Sequence, residues 1–383
     1  MFEKEEINRY ARQIVLPEIG LEGQEKLKRA KVLVVGAGGL GCPVLQYLVS
    51  AGVGTIGIAD GDMVDESNLQ RQILYSFVDI GKFKAETAKR KLTALNSYCK
   101  LHASNCKLTA ANALDLVQDY DLIIDGSDNF STRYLVNDAC VMLNKPLVFG
   151  SIFKFEGQVS VFNHRNGPTY RCLFPEPPQE SPNCCEIGVL NVLPGIIGTM
   201  MANEALKIIL GIGEVLSGKL FVFDALSSQA NSISFEKNPA NAKINSLVDY
   251  ESFCNPKGDS IREISSAELN KLIRQKEKIQ IIDVREPGEY SEFNINGQNI
   301  PLNLLPDNVD RIPKDIPVII HCKGGTRSKR AIELLQLDFG FTNLYNLTGG
   351  IEAFGFQVLP GGQTQVAAEC HSGAIIPSES SVR

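Results

Sequence analysis

Short apolar runs alternate with amphipathic stretches through the first half of the chain. Runs of β-branched residues indicate strands, and the stretches between them indicate crossover helices, a pattern typical of a parallel sheet. The apolar runs predict strands at 31–35, 55–60, 122–125 and 147–150. Two later runs, 158–162 and 219–224, predict that the same sheet continues with antiparallel strands, and 195–210 predicts a buried helix between them.

The alternation stops in a polar segment that contains Pro239, Pro256 and Gly258, which predicts a linker. A second α/β pattern follows, with strands at 279–284 and 318–322, a helix over 268–275 capped by Ser266, and a helix over 328–337. The last residues are rich in Gly, Ser and Gln, which is typical of disorder. The predicted divisions are a first domain at 1–245, a linker at 246–262, a second domain at 263–360 and a disordered tail at 361–383.

Composition places the chain among ordinary globular proteins, with 383 residues, 44% hydrophobic and 21% charged. The net charge of −6 argues against a nucleic-acid partner, which calls for a concentrated basic face. The apolar stretch 189–213 is interrupted by Pro194, Glu204 and Lys207, which argues against a membrane span. We therefore expect a cytoplasmic protein whose ten cysteines are mostly buried thiols rather than disulfides.

A glycine-rich turn follows the first predicted strand: Gly36-Ala37-Gly38-Gly39-Leu40-Gly41. A strand that feeds such a turn into a helix presents backbone N–H groups and the positive end of the helix dipole to phosphate. The turn alone does not separate ATP from NAD. Arg71, Lys82 and Lys84 supply the positive charge that a reacting triphosphate needs and hydride transfer does not. A plain Rossmann oxidoreductase that uses NAD stays open as the alternative.

Six segments in this order resemble the MoeB/ThiF-like relatives of ubiquitin-activating enzymes over roughly the first 240 residues; they are 9–13, 36–41, 60–62, 68–72, 81–84 and 125–129. The resemblance implies a Rossmann-like adenylation domain of the ubiquitin-activating type. It also implies ATP and Mg²⁺ as cofactors and adenylation of the C-terminal glycine of a ubiquitin-like sulfur carrier. The arginine at the position of Arg12 reaches across a dimer interface in that family, which implies a homodimer.

The candidate nucleotide-binding residues are Gly36, Gly38, Gly39, Gly41, Asp60, Asp62, Asn68, Arg71, Gln72, Lys84, Asp128 and Asn129. Asp60 ends the second strand, where an acid can accept hydrogen bonds from a ribose. Asp128 is the candidate Mg²⁺ ligand, because this ion prefers hard oxygen donors. Arg12, Arg71, Lys84 and Asp128 are the candidate catalytic residues of this domain. Asp62, Lys82 and Gln72 have an equally plain interpretation as surface side chains.

The second domain carries a cysteine between an apolar strand and an amphipathic helix, in the loop Cys322-Lys323-Gly324-Gly325-Thr326-Arg327. Backbone N–H groups, the helix N-terminus and the two cations would stabilise a thiolate or a persulfide at Cys322. The loop, with 283–290, 299–302 and 349–351, resembles a rhodanese domain over 264–356. Asp283 and Arg285 are expected to brace it. A cysteine phosphatase is the alternative, although its loop holds one more residue between cysteine and arginine.

Cys184 aligns with a cysteine that attacks or links to the activated carrier in related enzymes, so Cys184 is the candidate second thiol and Cys185 the spare. A packing role stays open. Many MoeB-like relatives hold zinc with two Cys-x-x-Cys pairs, whereas this chain has Thr169 and Cys172 at the first pair and no cysteine at 240–244. We therefore expect no zinc.

Together, these features predict an adenylyltransferase fused to a sulfurtransferase. A donor such as a cysteine desulfurase would load sulfur on Cys322, and the product would be a carrier thiocarboxylate. A non-catalytic carrier-binding scaffold is a further alternative. The pathway served, whether molybdopterin, thiamine or tRNA thiolation, stays open.

Overall fold

The computed structural model describes residues 2–178, 188–241, 243–254 and 261–355. The chain divides into two compact units, Met1–Pro256 and Lys257–Arg383, and each unit has its own sheet. The predicted tail at 361–383 lies outside the described residues.

The first unit is built on an eight-stranded sheet. Its strands are β1 (Lys31–Val35), β2 (Thr55–Ala59), β3 (Lys100–Ser104), β4 (Leu122–Asp125), β5 (Leu147–Phe153), β6 (Glu156–Phe162), β7 (Lys219–Asp224) and β8 (Gln229–Ser234). They lie in the order β3-β2-β1-β4-β5-β6-β7-β8. The first five are parallel, and β5 to β8 pair antiparallel, which confirms the predicted sheet.

Helices cover both faces of this sheet, because alternate residues of each strand point to opposite sides. The helices are α1 (Lys4–Ile14), α2 (Gly20–Arg29), α3 (Gly41–Ala51), α4 (Lys84–Leu95), α5 (Ala113–Gln118), α6 (Phe130–Met142), α7 (Tyr170–Leu173), α8 (Leu193–Leu210) and α9 (Tyr250–Cys254). One core joins Val32 and Val34 to α3, α4 and α8. The other joins Leu33 and Val35 to α5 and α6 and to the aromatic side chains around Tyr170.

The predicted buried helix is α8, which is the single helix among the described residues long and apolar enough to cross a membrane. Half of it is buried inside the protein. Ile197, Met201 and Ala205 are fully enclosed in the core that α8 shares with α3. The burial of these side chains, rather than composition, identifies α8 as a core helix.

Part of the predicted linker at 246–262 packs within the first unit. Helix α9 lies inside it, and Tyr250 is buried against α6. The Tyr250 hydroxyl donates a hydrogen bond of 2.7 Å to Asp138 Oδ2, which also pairs with Arg171. A polar sequence concealed this contact, since the buried partners come from distant parts of the chain.

The second unit has a five-stranded parallel sheet in the order β11-β10-β12-β13-β9. Its strands are β9 (Arg262–Ile264), β10 (Gln280–Asp283), β11 (Gln298–Asn299), β12 (Val318–His321) and β13 (Leu344–Leu347). Its helices are α10 (Ser266–Arg274), α11 (Pro287–Glu292), α12 (Thr326–Phe339) and α13 (Gly350–Gly355). Ser265, rather than the predicted Ser266, caps α10, since its side chain accepts from the N–H of Glu268.

Candidate functional site

The glycine turn lies between β1 and α3, beside the carboxyl end of β4. Gly36 has φ +88°, which favours glycine, and an added Cβ there would lie 2.9 Å from the Gly126 carbonyl oxygen. A Cβ on Gly41 would lie 2.0 Å from the Gly36 carbonyl oxygen. The turn is therefore a close backbone approach that side chains cannot enter, as phosphate binding to N–H groups requires.

Asp60 follows β2 and fixes the glycine turn from the side. Its Oδ2 accepts the N–H of Ala37 at 2.7 Å, and its Oδ1 accepts the N–H of Asp62 at 2.8 Å. Burial raises the pKa of Asp60, and these hydrogen bonds oppose that shift. Each oxygen keeps a second lone pair, so the predicted role toward a ribose stays a prediction.

The structure separates the two candidate lysines. Lys84, at the start of α4, is only 6% exposed, and its Nζ lies 3.2 Å from Asp62 Oδ2. Lys82 is exposed and donates to the carbonyl of Val78 at 2.8 Å. Lys84 therefore carries a desolvated positive charge near Asp60, whereas Lys82 is a solvated side chain.

Arg71 and Gln72 also reach the glycine turn. A Cβ on Gly39 would lie 3.7 Å from Arg71 Cγ, and one on Gly38 would lie 3.6 Å from Gln72 Nε2. Gln72 is buried, and its Oε1 has no hydrogen-bond partner. The backbone carbonyl of Asn68 accepts the N–H groups of Arg71 and Gln72, so Asn68 holds both in place.

Further polar groups follow β4, next to the glycine turn. Asp125 is buried, its Oδ1 accepts the Ser127 N–H at 2.9 Å, and its Oδ2 has no partner. The Ser127 hydroxyl is also buried without a partner. Sequence reasoning missed both as site residues, although an acid at a strand end beside a glycine turn was a usable signal. Such orphaned polar atoms fit a polar ligand at the turn.

The remaining candidates of this unit differ in their surroundings. Asp128 is exposed beside Ser127, while the Asn129 side chain caps α6 by accepting the Thr132 N–H at 2.8 Å. Arg12 is exposed on α1, and no hydrogen bond or ion pair within the described parts of the chain joins it to the glycine turn. No group of three potential metal-ligating side chains occurs among the described residues. Cys184 and Cys185 lie outside the described residues.

Cys172, at the position where MoeB-like relatives have a zinc-binding Cys-x-x-Cys pair, is surrounded by hydrogen-bonding groups. Cys172 Sγ accepts the N–H of Asn238 at 3.3 Å and of Thr169 at 3.4 Å, and it lies 3.3 Å from Thr169 Oγ1. Asn241 Nδ2 donates to the Arg171 carbonyl at 2.9 Å. One thiol with hydroxyl and amide neighbours does not fit a tetrahedral zinc site.

In the second unit, Cys322 follows β12 and is 2% exposed. Its sulfur accepts the N–H of Gly325 at 3.2 Å. The hydroxyl of Ser328 lies 3.5 Å from the sulfur and donates its proton to Asn346 Oδ1 at 2.6 Å. Gly325 has φ +101° and precedes α12, which aims the helix N-terminus at the loop. A backbone N–H and a helix N-terminus therefore face the sulfur, and the role of this loop in holding a persulfide stays a prediction.

The expected bracing pair is also present. Arg285 makes a bidentate contact with Asp283, with Nη2 at 2.7 Å from Oδ2, and donates to the Phe293 carbonyl at 2.6 Å. His321 is fully buried beside them, and burial lowers its pKa.

The two loop cations are each paired with a carboxylate in the structure. Arg327 points to Glu289, with contacts of 2.6 and 2.7 Å, and Lys323 lies 3.6 Å from Glu352. Both cations are paired with carboxylates, and the hydrogen bond to the sulfur comes from the N–H of Gly325.

Comparison with known proteins assigns a family model to a segment of each unit. The ThiF family model matches residues 10–245, and the rhodanese-like domain model matches 265–356. The chain is 44% identical over 372 residues to the probable adenylyltransferase/sulfurtransferase MoeZ of Mycobacterium tuberculosis, covering 93% of this chain and 95% of that protein. It is 53% identical over 264 residues to the sulfur carrier protein adenylyltransferase of Thermus thermophilus, covering 66% of this chain and 97% of that protein.

Solved structures show the same fold for the first unit. The crystal structure of E. coli MccB with ATP matches with a TM-score of 0.54 and 25% identity, over 61% of this chain and 73% of that one. PaaA matches with a TM-score of 0.54 and 24% identity, over 62% of this chain and 76% of that one. The family match decides between the alternatives of adenylyltransferase and NAD-dependent oxidoreductase.

Proposed function

This chain belongs to the ThiF family and carries a rhodanese-like domain, and from that premise we propose how its own residues act. The first unit adenylates the C-terminal glycine of a ubiquitin-like sulfur carrier, and the second transfers sulfur to the activated carrier. The first step is supported by the buried cation Lys84 near the glycine turn. The turn is also close to three buried polar atoms without hydrogen-bond partners, which are Gln72 Oε1, Asp125 Oδ2 and Ser127 Oγ.

The adenylation step brings anions together. The carrier carboxylate attacks the α-phosphorus of ATP, an acyl–O–P bond forms, and the bond to pyrophosphate breaks. Catalysis of such a step is mainly positioning and charge neutralisation. Backbone N–H groups of the glycine turn, Lys84 and Arg71 fit the phosphates, and Asp60 fits the ribose. Asp128 would hold Mg²⁺, which supplies further charge neutralisation on the phosphates.

The sulfur step uses Cys322 as the thiolate that accepts sulfur from a donor and carries it as a persulfide. The N–H of Gly325 donates to the sulfur atom, and the hydroxyl of Ser328 lies 3.5 Å from it. Because both units lie on one chain, the persulfide is present at a high effective concentration near the reactive adenylate. The proposal has three further parts. Cys184 acts as the second thiol. The protein is a homodimer in which Arg12 reaches the partner's site, and a cysteine desulfurase donates the sulfur.

The test is ATP–pyrophosphate exchange in the presence of a carrier that ends in Gly-Gly. Removing a preorganised cation typically costs about 10²- to 10³-fold in rate, so Lys84→Met should nearly abolish exchange. Lys82→Met is the matched control and should exchange like the wild type, because Lys82 is solvated. Equal exchange in both variants would contradict the assignment of Lys84.

The two activities should also separate. Cys322→Ser should abolish sulfur transfer from thiosulfate to cyanide and leave exchange intact, since the two sites lie in separate compact units. A parallel loss of exchange would show that the units do not act as modules.

A further inference from the structure

Each cation at positions 323, 327 and 329, just after the sulfur-carrying cysteine, is paired with a carboxylate. Arg327 contacts Glu289 at 2.6 and 2.7 Å, and Lys329 contacts Glu263 at 2.8 Å. Lys323 lies 3.6 Å from Glu352. The carboxylates come from three different elements, α11, β9 and α13. The tertiary structure therefore cancels the positive charge that the loop sequence carries.

Glu289 is the carboxylate best placed to offset the charge of a loop cation. Its two oxygens take Nη1 and Nη2 of Arg327, and its Oε2 also accepts the N–H of Glu286, which fixes its position at the start of α11. The pairing with Arg327 lowers the pKa of Glu289 to about 2, so the carboxylate is ionised at neutral pH. Both side chains are about one-third exposed, 30% for Arg327 and 33% for Glu289, so the pair lies where an incoming donor can reach it.

The groups that do contact Cys322 Sγ are short-range and uncharged. The N–H of Gly325 donates to it, and the hydroxyl of Ser328, which donates to Asn346 Oδ1 at 2.6 Å, lies 3.5 Å away. One N–H donor and the helix N-terminus of α12 suit a single sulfur atom with one negative charge. A small dianion needs net positive charge in addition, and the paired arginine does not supply it.

We propose that Glu289 sets the sulfur-donor specificity of Cys322, because it neutralises Arg327 and so favours a persulfide carried on a partner protein's thiol over a small inorganic dianion. This inference rests on the proposed sulfurtransferase function. Glu289 is a positioning residue that acts through Arg327.

The two donor reactions differ in charge. With thiosulfate, the Cys322 thiolate attacks the outer sulfur, an S–S bond forms, the S–S bond of thiosulfate breaks, and sulfite leaves with the electron pair. With a protein persulfide, the Cys322 thiolate attacks the outer sulfur, a new S–S bond forms, the S–S bond of the donor breaks, and the donor's thiolate leaves with the electron pair. The reacting groups carry three negative charges in the first case and two in the second. Removing the negative charge of Glu289 should therefore increase loading from thiosulfate more than loading from a protein persulfide.

The test measures kcat/KM for loading of Cys322 by thiosulfate and by a cysteine desulfurase supplied with cysteine, with the persulfide detected by mass. Glu289→Gln should raise kcat/KM for thiosulfate by about three- to tenfold, the range expected for one partly screened charge, mainly through KM. Loading by the desulfurase should change by less than about twofold. High salt should reduce the gain, because the effect is electrostatic.

Two variants serve as controls. Glu289→Asp keeps the charge and should keep the wild-type preference between donors. Glu292→Gln removes an exposed carboxylate from the same helix and should leave both rates unchanged.

Two results would overturn the inference: an unchanged rate with thiosulfate in Glu289→Gln, or an equal fall with both donors, which would indicate a structural role. Failure of the wild type to load from either donor would instead refute the proposed sulfurtransferase function.

Discussion

Gly41→Ala is the substitution for which the structure predicts the clearest loss in the nucleotide site. The new Cβ would lie 2.0 Å from the carbonyl oxygen of Gly36 and 2.9 Å from its carbon. Packed atoms approach to about 3.5 Å, so the turn has to move by about 1.5 Å. Both clashing atoms are backbone, so no side chain can rotate to relieve the contact.

The expected loss of stability follows from that movement. Overpacking a rigid site costs about 1–3 kcal/mol, and we expect the upper end because backbone must shift. For a unit of this size, about 2–4 °C is lost per kcal/mol, so the melting temperature of the adenylation unit should fall by about 6–12 °C. A misplaced N–H donor to a charged phosphate costs about 1.5–3 kcal/mol, which weakens ATP binding by about 10- to 100-fold.

Calorimetry of the full chain and ATP titration measure both effects. The transition of the rhodanese-like unit and sulfur transfer by Cys322 serve as internal references. Gly195→Ala in α8 is the matched control, since its added Cβ meets no atom within 4 Å and alanine favours a helix. A Gly41→Ala variant with wild-type melting and ATP affinity would refute the assignment of this turn as a rigid phosphate cradle.

Three further predictions concern other parts of the chain. Tyr250→Phe removes a hydrogen bond of 2.7 Å to Asp138, which also pairs with Arg171, and should destabilise the first unit by about 1.5–3 kcal/mol in urea unfolding, whereas an unchanged midpoint would show that α9 is not held by this contact. Protein purified without a histidine tag should contain well under one zinc per chain, and Cys172→Ser should cost less than about 1 kcal/mol, since a hydroxyl can accept the same N–H groups; stoichiometric zinc would contradict this. The lowered pKa of Glu289, about 2 against the usual 4.5, means that its contribution to stability is complete above about pH 5 and lost as the pH falls toward 2, so Glu289→Gln should flatten the acid limb of unfolding for the second unit.

Local patterns predicted the elements that carry strong local signals. The strand at 31–35 matches β1, because the continuous apolar run from Val32 to Val35 is buried. Strand β8 was not predicted, since all of its residues are exposed and its pairing with β7 alone defines it. The cap of α10 moved by one residue from Ser266 to Ser265, because either serine satisfies the pattern and the backbone geometry selects one.

The sequence by itself determined the two chemistries of this protein, since the glycine turn and the cysteine loop depend on residues adjacent in the chain. Only the tertiary structure decided which charges act. Lys84 is buried and Lys82 solvated two positions away, a difference set by the packing of α4. Arg327 is neutralised by Glu289, 38 residues away in sequence. Burial and ion pairing depend on distances through space, and those distances exist only once the strands and helices have packed.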